Sequence, residues 1–303
     1  MSRMKNILFT LSICLFFSCS GSKTIAQNTT PTKIQEPEEK VVQDDSILED
    51  EKKVNLPKII TPIEEKAPET EKPLQKTPVV TIEPKKSNEA FDHKIWNYLL
   101  QKHVSAKGIV DYKGFKQDKS KLRTYLNILS KNMPKESWNK SDKLAYWINA
   151  YNAFTVKLII DNYPLKSIKD IENPWELRFI KLGAKWYTLN DIEHRILRKM
   201  KDPRIHFGIN CASLSCPRLS NKSFTAQNVD QELEKLTTSF INDTKHNTIS
   251  ANTIKLSKIF LWFGKDFKTK GTLIQFLNVY SKTKINEKAK KSYRVYDWNL
   301  NES

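Results

Sequence analysis

The chain has 303 residues, 28% of them charged, and a formal net charge of +17 at pH 7. The excess is uneven: residues 1–18 carry +2, residues 19–88 carry −2 and residues 89–303 carry +17. In a cytosolic protein that surplus would point to nucleic acid, a partner that an export signal at the N-terminus excludes. Anionic lipid headgroups, acidic glycans or an acidic envelope polymer or peptide are the remaining partner classes. The lysines are scattered (Lys140, Lys143, Lys157, Lys166, Lys169, Lys181, Lys185) rather than gathered in one stripe, which favours the plainer reading that they solvate the domain.

The export signal is read from Arg3 and Lys5, the uncharged apolar run Ile7 to Phe17, and Ser18 before Cys19. The apolar run is too short to span a bilayer as a mature helix. Phe16-Phe17-Ser18-Cys19 reads as a lipobox, in which the Cys19 thiol is acylated and becomes the new N-terminus. Each buried methylene adds about 0.8 kcal/mol of membrane affinity, so a multiply acylated Cys19 would hold firmly. Residues 1–18 are thus expected to be a lipoprotein signal peptide. The lipid anchors the exported protein to a membrane, with the domain facing the periplasm if the cell has two.

Residues 20–88 contain no Phe, Trp or Tyr and hold eight of the thirteen prolines. Such a stretch cannot bury enough apolar surface to offset its ordering entropy and is expected to be a disordered tether, 19–88 including the anchor. As a coil its ends would lie roughly 50 Å apart.

From Glu89 the composition changes, and 89–303 is long enough for one sizeable core. Phe91, Ile95 and Leu99 recur at helical spacing up to His103; Gly108–Tyr112 reads as a short strand; Leu122, Leu126 and Leu129 mark a second helix. Leu144 to Val156 is thirteen residues without a charge, too short and polar for a membrane span and expected to be a buried central helix stopped by Tyr163-Pro164. Asn149 and Asn152 lie one turn apart on it. Phe179–Thr188 reads as a hairpin about Gly183-Ala184. Asn190 with Glu193 resembles a capping box for a helix through Met200. Arg204–Asn210 alternates as a strand would, and leads into Cys211-Ala-Ser-Leu-Ser-Cys216-Pro217. A long amphipathic helix follows from Val229 to Phe240, then a hairpin about Ala251-Asn252. Helical segments at 260–267 and 273–280 precede a strand or extended tail, Tyr293–Trp298. Helices and hairpins mix without βαβ regularity, which argues for an α+β fold: one globular domain with a buried central helix, several amphipathic helices and short antiparallel hairpins.

Four of these segments resemble one family. Leu144-Ala-Tyr-Trp-Ile-Asn-Ala-Tyr-Asn-Ala-Phe154, Leu189-Asn-Asp-Ile-Glu-His194, Arg204 to Pro217 and Tyr296-Asp-Trp298, in that order, are similar to the family catalogued as domain of unknown function 547. The resemblance covers essentially the whole segment 89–303. It implies domain limits and draws attention to the matching residues, but implies no reaction.

With the signal removed and Cys19 acylated, Cys211 and Cys216 are the remaining thiols. Outside the cytosol they are most simply read as a disulfide closing a six-residue ring, adding about 2 kcal/mol before strain. Their spacing is not that of a thioredoxin-like redox site. A second reading makes one of them a nucleophile, which needs a nearby imidazole and a polar group to orient it. On a strand His206 would share a face with Gly208 and Asn210, leaving Cys216 the better placed thiol, with Asn149 or Asn152 as orienter or oxyanion donor. Glu193 is first a capping group and only second an acid or base; His194 is first a surface or packing residue. Cys211, Cys216, His206 and His194 could bind zinc by ligand type, but their spacing fits no standard finger or ribbon, so neither a metal nor another cofactor is expected. Asn149, Asn152, His206 and the Cys211–Cys216 loop are expected to converge on one cleft. Two function classes follow: a non-catalytic binding or structural module of the envelope, slightly favoured, and a cysteine-dependent hydrolase or acyl-transfer enzyme acting on a peptide or cell-wall substrate.

Overall fold

A computed structural model describes residues 91–303. Cys19, the signal peptide and the tether lie outside the described residues. Among those described, no helix is long and apolar enough to cross a membrane.

The centre of the fold is α4 (Lys140–Asn162), which ends one residue before Tyr163-Pro164. Asn139 caps its start by accepting from Asp142 N at 2.8 Å. From Leu144 to Ile160 all side chains but Lys157 are buried, so the uncharged run is packed on every side. Helices α2 (Tyr112–Gln117) and α3 (Lys119–Lys131) cover one part of it, and α1 (Lys94–His103) packs on both. There Trp96 stacks on Tyr125 at 5.8 Å between ring centroids. Helix α6 (Val229–Ile241) packs on another part through Val229, Leu233, Leu236 and Phe240. A near-continuous apolar core surrounds α4.

The strands are short and peripheral. β1 (Ile180–Leu182) and β2 (Lys185–Tyr187) form the expected hairpin about Gly183, whose φ of +57° suits a tight turn. β3 (Thr248–Ile249) and β4 (Thr253–Leu256) form the second hairpin, and β5 (Lys290–Tyr293) pairs with β4 in parallel. The architecture is α+β, with small sheets packed around a helical core.

Several segments differ from their sequence reading. Gly108–Tyr112 forms no strand; Val110 makes only isolated bridges, and Asp111 instead caps α2 by accepting from Gly114 N. The 260–267 segment divides into α7 (Ile259–Trp262) and a 3-10 turn at Asp266–Lys268, before α8 (Leu273–Tyr280). Of the two forms open to Tyr293–Trp298, the segment takes the extended tail, beyond a strand that ends at Tyr293.

The largest correction is at Arg204–Asn210, which is not a strand. Ile205–Gly208 is a short helix, α5. Asp202-Pro203 opens it: Asp202 accepts from Arg204 N at 3.1 Å through its side chain and from Ile205 N through its backbone. The alternation misled because Ile205 to Asn210 are all buried and have no solvent face. Gly208 packs closely on α6: a Cβ there would lie 2.7 Å from Leu233 Cδ2, so that side chain would have to move.

Candidate functional site

The two asparagines of α4 each make a pair of hydrogen bonds to backbone. Asn149 donates to Phe224 O at 2.7 Å and accepts from Phe224 N at 3.1 Å. Asn152 donates to Gly208 O at 2.9 Å and accepts from Asn210 N at 2.9 Å. The buried amides are thus satisfied as clips on two irregular segments, not as lining of an open cleft. Asn152 fixes the backbone directly ahead of Cys211.

The loop that follows is closed by polar contacts. Asn210 accepts from Ala212 N at 2.9 Å and donates to Pro217 O at 2.7 Å, joining the two ends. Ala212 takes φ +61°, and Cys211 N donates to Cys216 Sγ at 2.9 Å. The C-terminal tail runs alongside: Leu214 N donates to Asn299 O, Ser215 N to Asp297 O and Asn301 N to Ala212 O. Tyr296 is thereby set over the loop.

Both cysteines stand as free thiols. Cys211 Sγ lies 3.3 Å from Ser213 Oγ and 3.3 Å from Tyr296 Oη, which are themselves 3.2 Å apart. The Cys211 thiol is lowered to about 7, first by a hydrogen bond from the Cys216 thiol; burial opposes this, and Ser213 and Tyr296 add to it. Cys216 moves the other way, pushed well up by burial and by its bond to Cys211. A buried thiol donating to a partly exposed one makes Cys211 the thiolate of the pair. Tyr112, Tyr151 and Tyr296 are all buried and raised, first by burial and further by the charge on the cysteines.

His206 does not join this group. Its ring stacks on Phe263 at 4.0 Å and its Nε2 lies 2.8 Å from Asp266 Oδ2. Its Nδ1 makes no hydrogen bond and sits 4.0 Å from Glu193 Oε1. Burial lowers the imidazole against the pull of Asp266. The helix in place of a strand accounts for this: the turn at 205–208 carries His206 toward Asp266. No imidazole–thiol hydrogen bond forms.

Glu193 is not a helix cap. Thr188 and Asp191 form the reciprocal pair that opens the segment, each side chain accepting from the other's N–H at 2.9 Å, while Asn190 donates to Glu176. The segment Asp191–Leu197 is a π-helix, and it turns Glu193 inward. Tyr151 Oη donates to Glu193 Oε2 at 3.1 Å. Burial pushes the Glu193 carboxyl up to about 7, opposed by Tyr151 and reinforced by the charge of Cys211. Arg198 forks onto Asp266 at 2.7 and 2.9 Å and also lies 2.7 Å from His194 Nδ1. His194 is half-buried and lowered to about 4, by burial and then by the Arg198 charge. Burial pushes Asp266 up, but His206 and Arg198 outweigh it and hold the carboxylate well below its usual range.

Two polar groups therefore exist: the thiol group of Cys211, Cys216, Ser213 and Tyr296, and the acid–base group of Glu193, His206, Asp266, Arg198 and His194. Tyr151 connects them, bonded to Glu193 and within electrostatic range of both cysteines. Among the described residues no cluster of His, Cys, Asp or Glu has the arrangement to hold a metal ion. Beside the thiol group lies a half-buried aromatic surface. Tyr296 contacts Trp298 at 4.5 Å and Trp262 at 4.8 Å, and Trp175 meets Trp298 at 5.6 Å. Tyr151, Ser213 and Tyr296 are marked only by the motifs that contain them, and Asp266 carries no local signal in the sequence.

Residues 135–241 match the family described as Protein of unknown function, DUF547. The match takes in α4, the π-helical segment, the Cys211–Cys216 loop and α6; the tail bearing Tyr296 lies beyond it. It supports the family that the four motifs resemble. No curated protein matches the chain, and no solved structure does.

Proposed function

We propose that the domain works through the Cys211 thiolate, as a cysteine-dependent acyl-transfer or hydrolytic enzyme of the cell envelope. One observation carries this reading: the thiol of a half-buried residue, with three hydrogen-bonding partners and a pKa lowered to about 7, beside a half-buried aromatic surface. A thiolate populated at neutral pH attacks an acyl carbon, and the acyl group passes to Sγ as the leaving group takes a proton. Glu193, held near 7 and hydrogen-bonded to Tyr151, is the group of the neighbouring cluster suited to exchange a proton near neutrality. The aromatic surface offers a stacking face for a ring-bearing portion of a peptide or cell-wall substrate. The test is an activated acyl ester followed by mass spectrometry of the labelled peptides. A thioester on Cys211, lost in Cys211→Ser, supports the reading; acylation elsewhere or nowhere refutes it.

A second reading, a binding or structural module closed by a Cys211–Cys216 disulfide, is favoured by one specific observation: no imidazole touches either thiol. Quantitative disulfide in protein taken from its native compartment would select it. In both readings we place the domain outside the cytoplasm, held to a membrane by an acylated Cys19. Metabolic labelling with a clickable fatty acid, lost in Cys19→Ala, tests that placement.

A further inference from the structure

We infer that the β3–β4–β5 sheet is a docking face for an anionic phospholipid membrane. The strand register gathers cations that are dispersed in the sequence. Thr248 pairs with Lys255, Lys255 with Ser292, and Thr253 with Lys290, so these five side chains share one face. Ile254 and Leu256 turn to the core on the other. Arg294, two residues after Ser292, extends the row, and its Nη2 donates to Thr248 Oγ1 at 2.6 Å. The face thus presents Lys255, Lys290 and Arg294 among three hydroxyls. None of the three cations has a carboxylate partner among the described residues. The Arg294 Nε is shielded from solvent and makes no hydrogen bond. A cavity of about 240 Å³ opens on these strands, and Lys291 lines its rim.

The spacing argues for a surface rather than a single anion. Lys290 and Arg294 are four residues apart along an extended chain, roughly 13 Å, with Lys255 one strand away. One phosphate cannot meet all three, whereas an array of headgroups can. This face is independent of the thiol site.

The test uses the full chain carrying Cys19→Ser, so that no acyl group contributes, and compares co-sedimentation with phosphatidylglycerol-containing and pure phosphatidylcholine vesicles. The quantity read is the preference for anionic over neutral vesicles, which cancels any purely apolar binding. Each cation near such a surface contributes about fivefold, so Lys255→Gln with Lys290→Gln is expected to lower the preference roughly 30-fold. Lys107→Gln with Lys113→Gln, also exposed and outside the β3–β4–β5 sheet, is expected to change it less than about threefold. All four positions are exposed, and unchanged thermal melting checks that the fold is kept. Equal losses in the two pairs would show a diffuse charge effect and overturn the docking face. So would the absence of any anionic preference, or binding of inorganic phosphate by calorimetry without binding to vesicles.

Discussion

Asn152→Ala tests how the fold holds its site. The substitution removes two hydrogen bonds of 2.9 Å and leaves Gly208 O and Asn210 N without those partners in a segment buried from solvent. Each stranded group costs on the order of 1–3 kcal/mol, so the loss is about 2–6 kcal/mol. Asn149→Ala strands Phe224 N and O in the same manner and should cost a similar amount. With a urea m-value of roughly 2–3 kcal/mol/M, either variant should unfold at a midpoint about 1 M lower. The two then part company. Asn152 fixes the backbone leading into Cys211, so its loss should also raise the Cys211 thiol, whereas Asn149→Ala should leave the thiol where it was. A midpoint shift below about 0.3 M for Asn152→Ala would refute the clip. Equal thiol shifts in both variants would refute the coupling.

Glu193→Gln should change how stability depends on pH. The folded carboxyl lies near 7, above its unfolded value of 4.5, so wild-type stability is full below pH 4.5 and is lost as pH rises toward 7. The variant should match wild type at pH 4 and exceed it at pH 8 by about 3 kcal/mol, read by denaturant titration at the two pH values. Asp266→Asn weakens the acceptor of both Arg198 and His206 and should destabilise by roughly 2–4 kcal/mol in the same assay. A chain shortened to begin near Ser87 should melt cooperatively within about two degrees of the full chain. A loss of several degrees would show that the preceding residues pack on the domain.

The central helix was legible because thirteen uncharged residues in a row admit few environments other than a core. The amphipathic helices and both hairpins followed from period and turn residues, as Leu122, Leu126 and Leu129 or Gly183 show. The site was harder to read. Alternation at 204–210 mimicked a strand because residues 205–210 are all buried, and Asp202-Pro203 made a helix of it. That one error placed His206 beside the thiols instead of beside Asp266, sixty residues further along. Asn190 and Glu193 have capping-box spacing, yet Thr188 and Asp191 lie nearby with the same three-residue spacing and form the box. Tyr296 meets Cys211 only through the path of the tail, a long-range contact that no local pattern encodes. Likewise, the cations of the β3–β4–β5 face are scattered along the chain and meet only through strand register.

The most direct measurement is the pH dependence of Cys211 alkylation, resolved residue by residue by mass spectrometry on reduced protein. The rate at Cys211 should rise with a midpoint near pH 7, well ahead of Cys216. Tyr296→Phe or Ser213→Ala, each removing one hydrogen-bonding partner of the sulfur, should move that midpoint upward. A midpoint at pH 9 or above, or a Cys216 that reacts first, would contradict the assignment of Cys211 as the working thiolate.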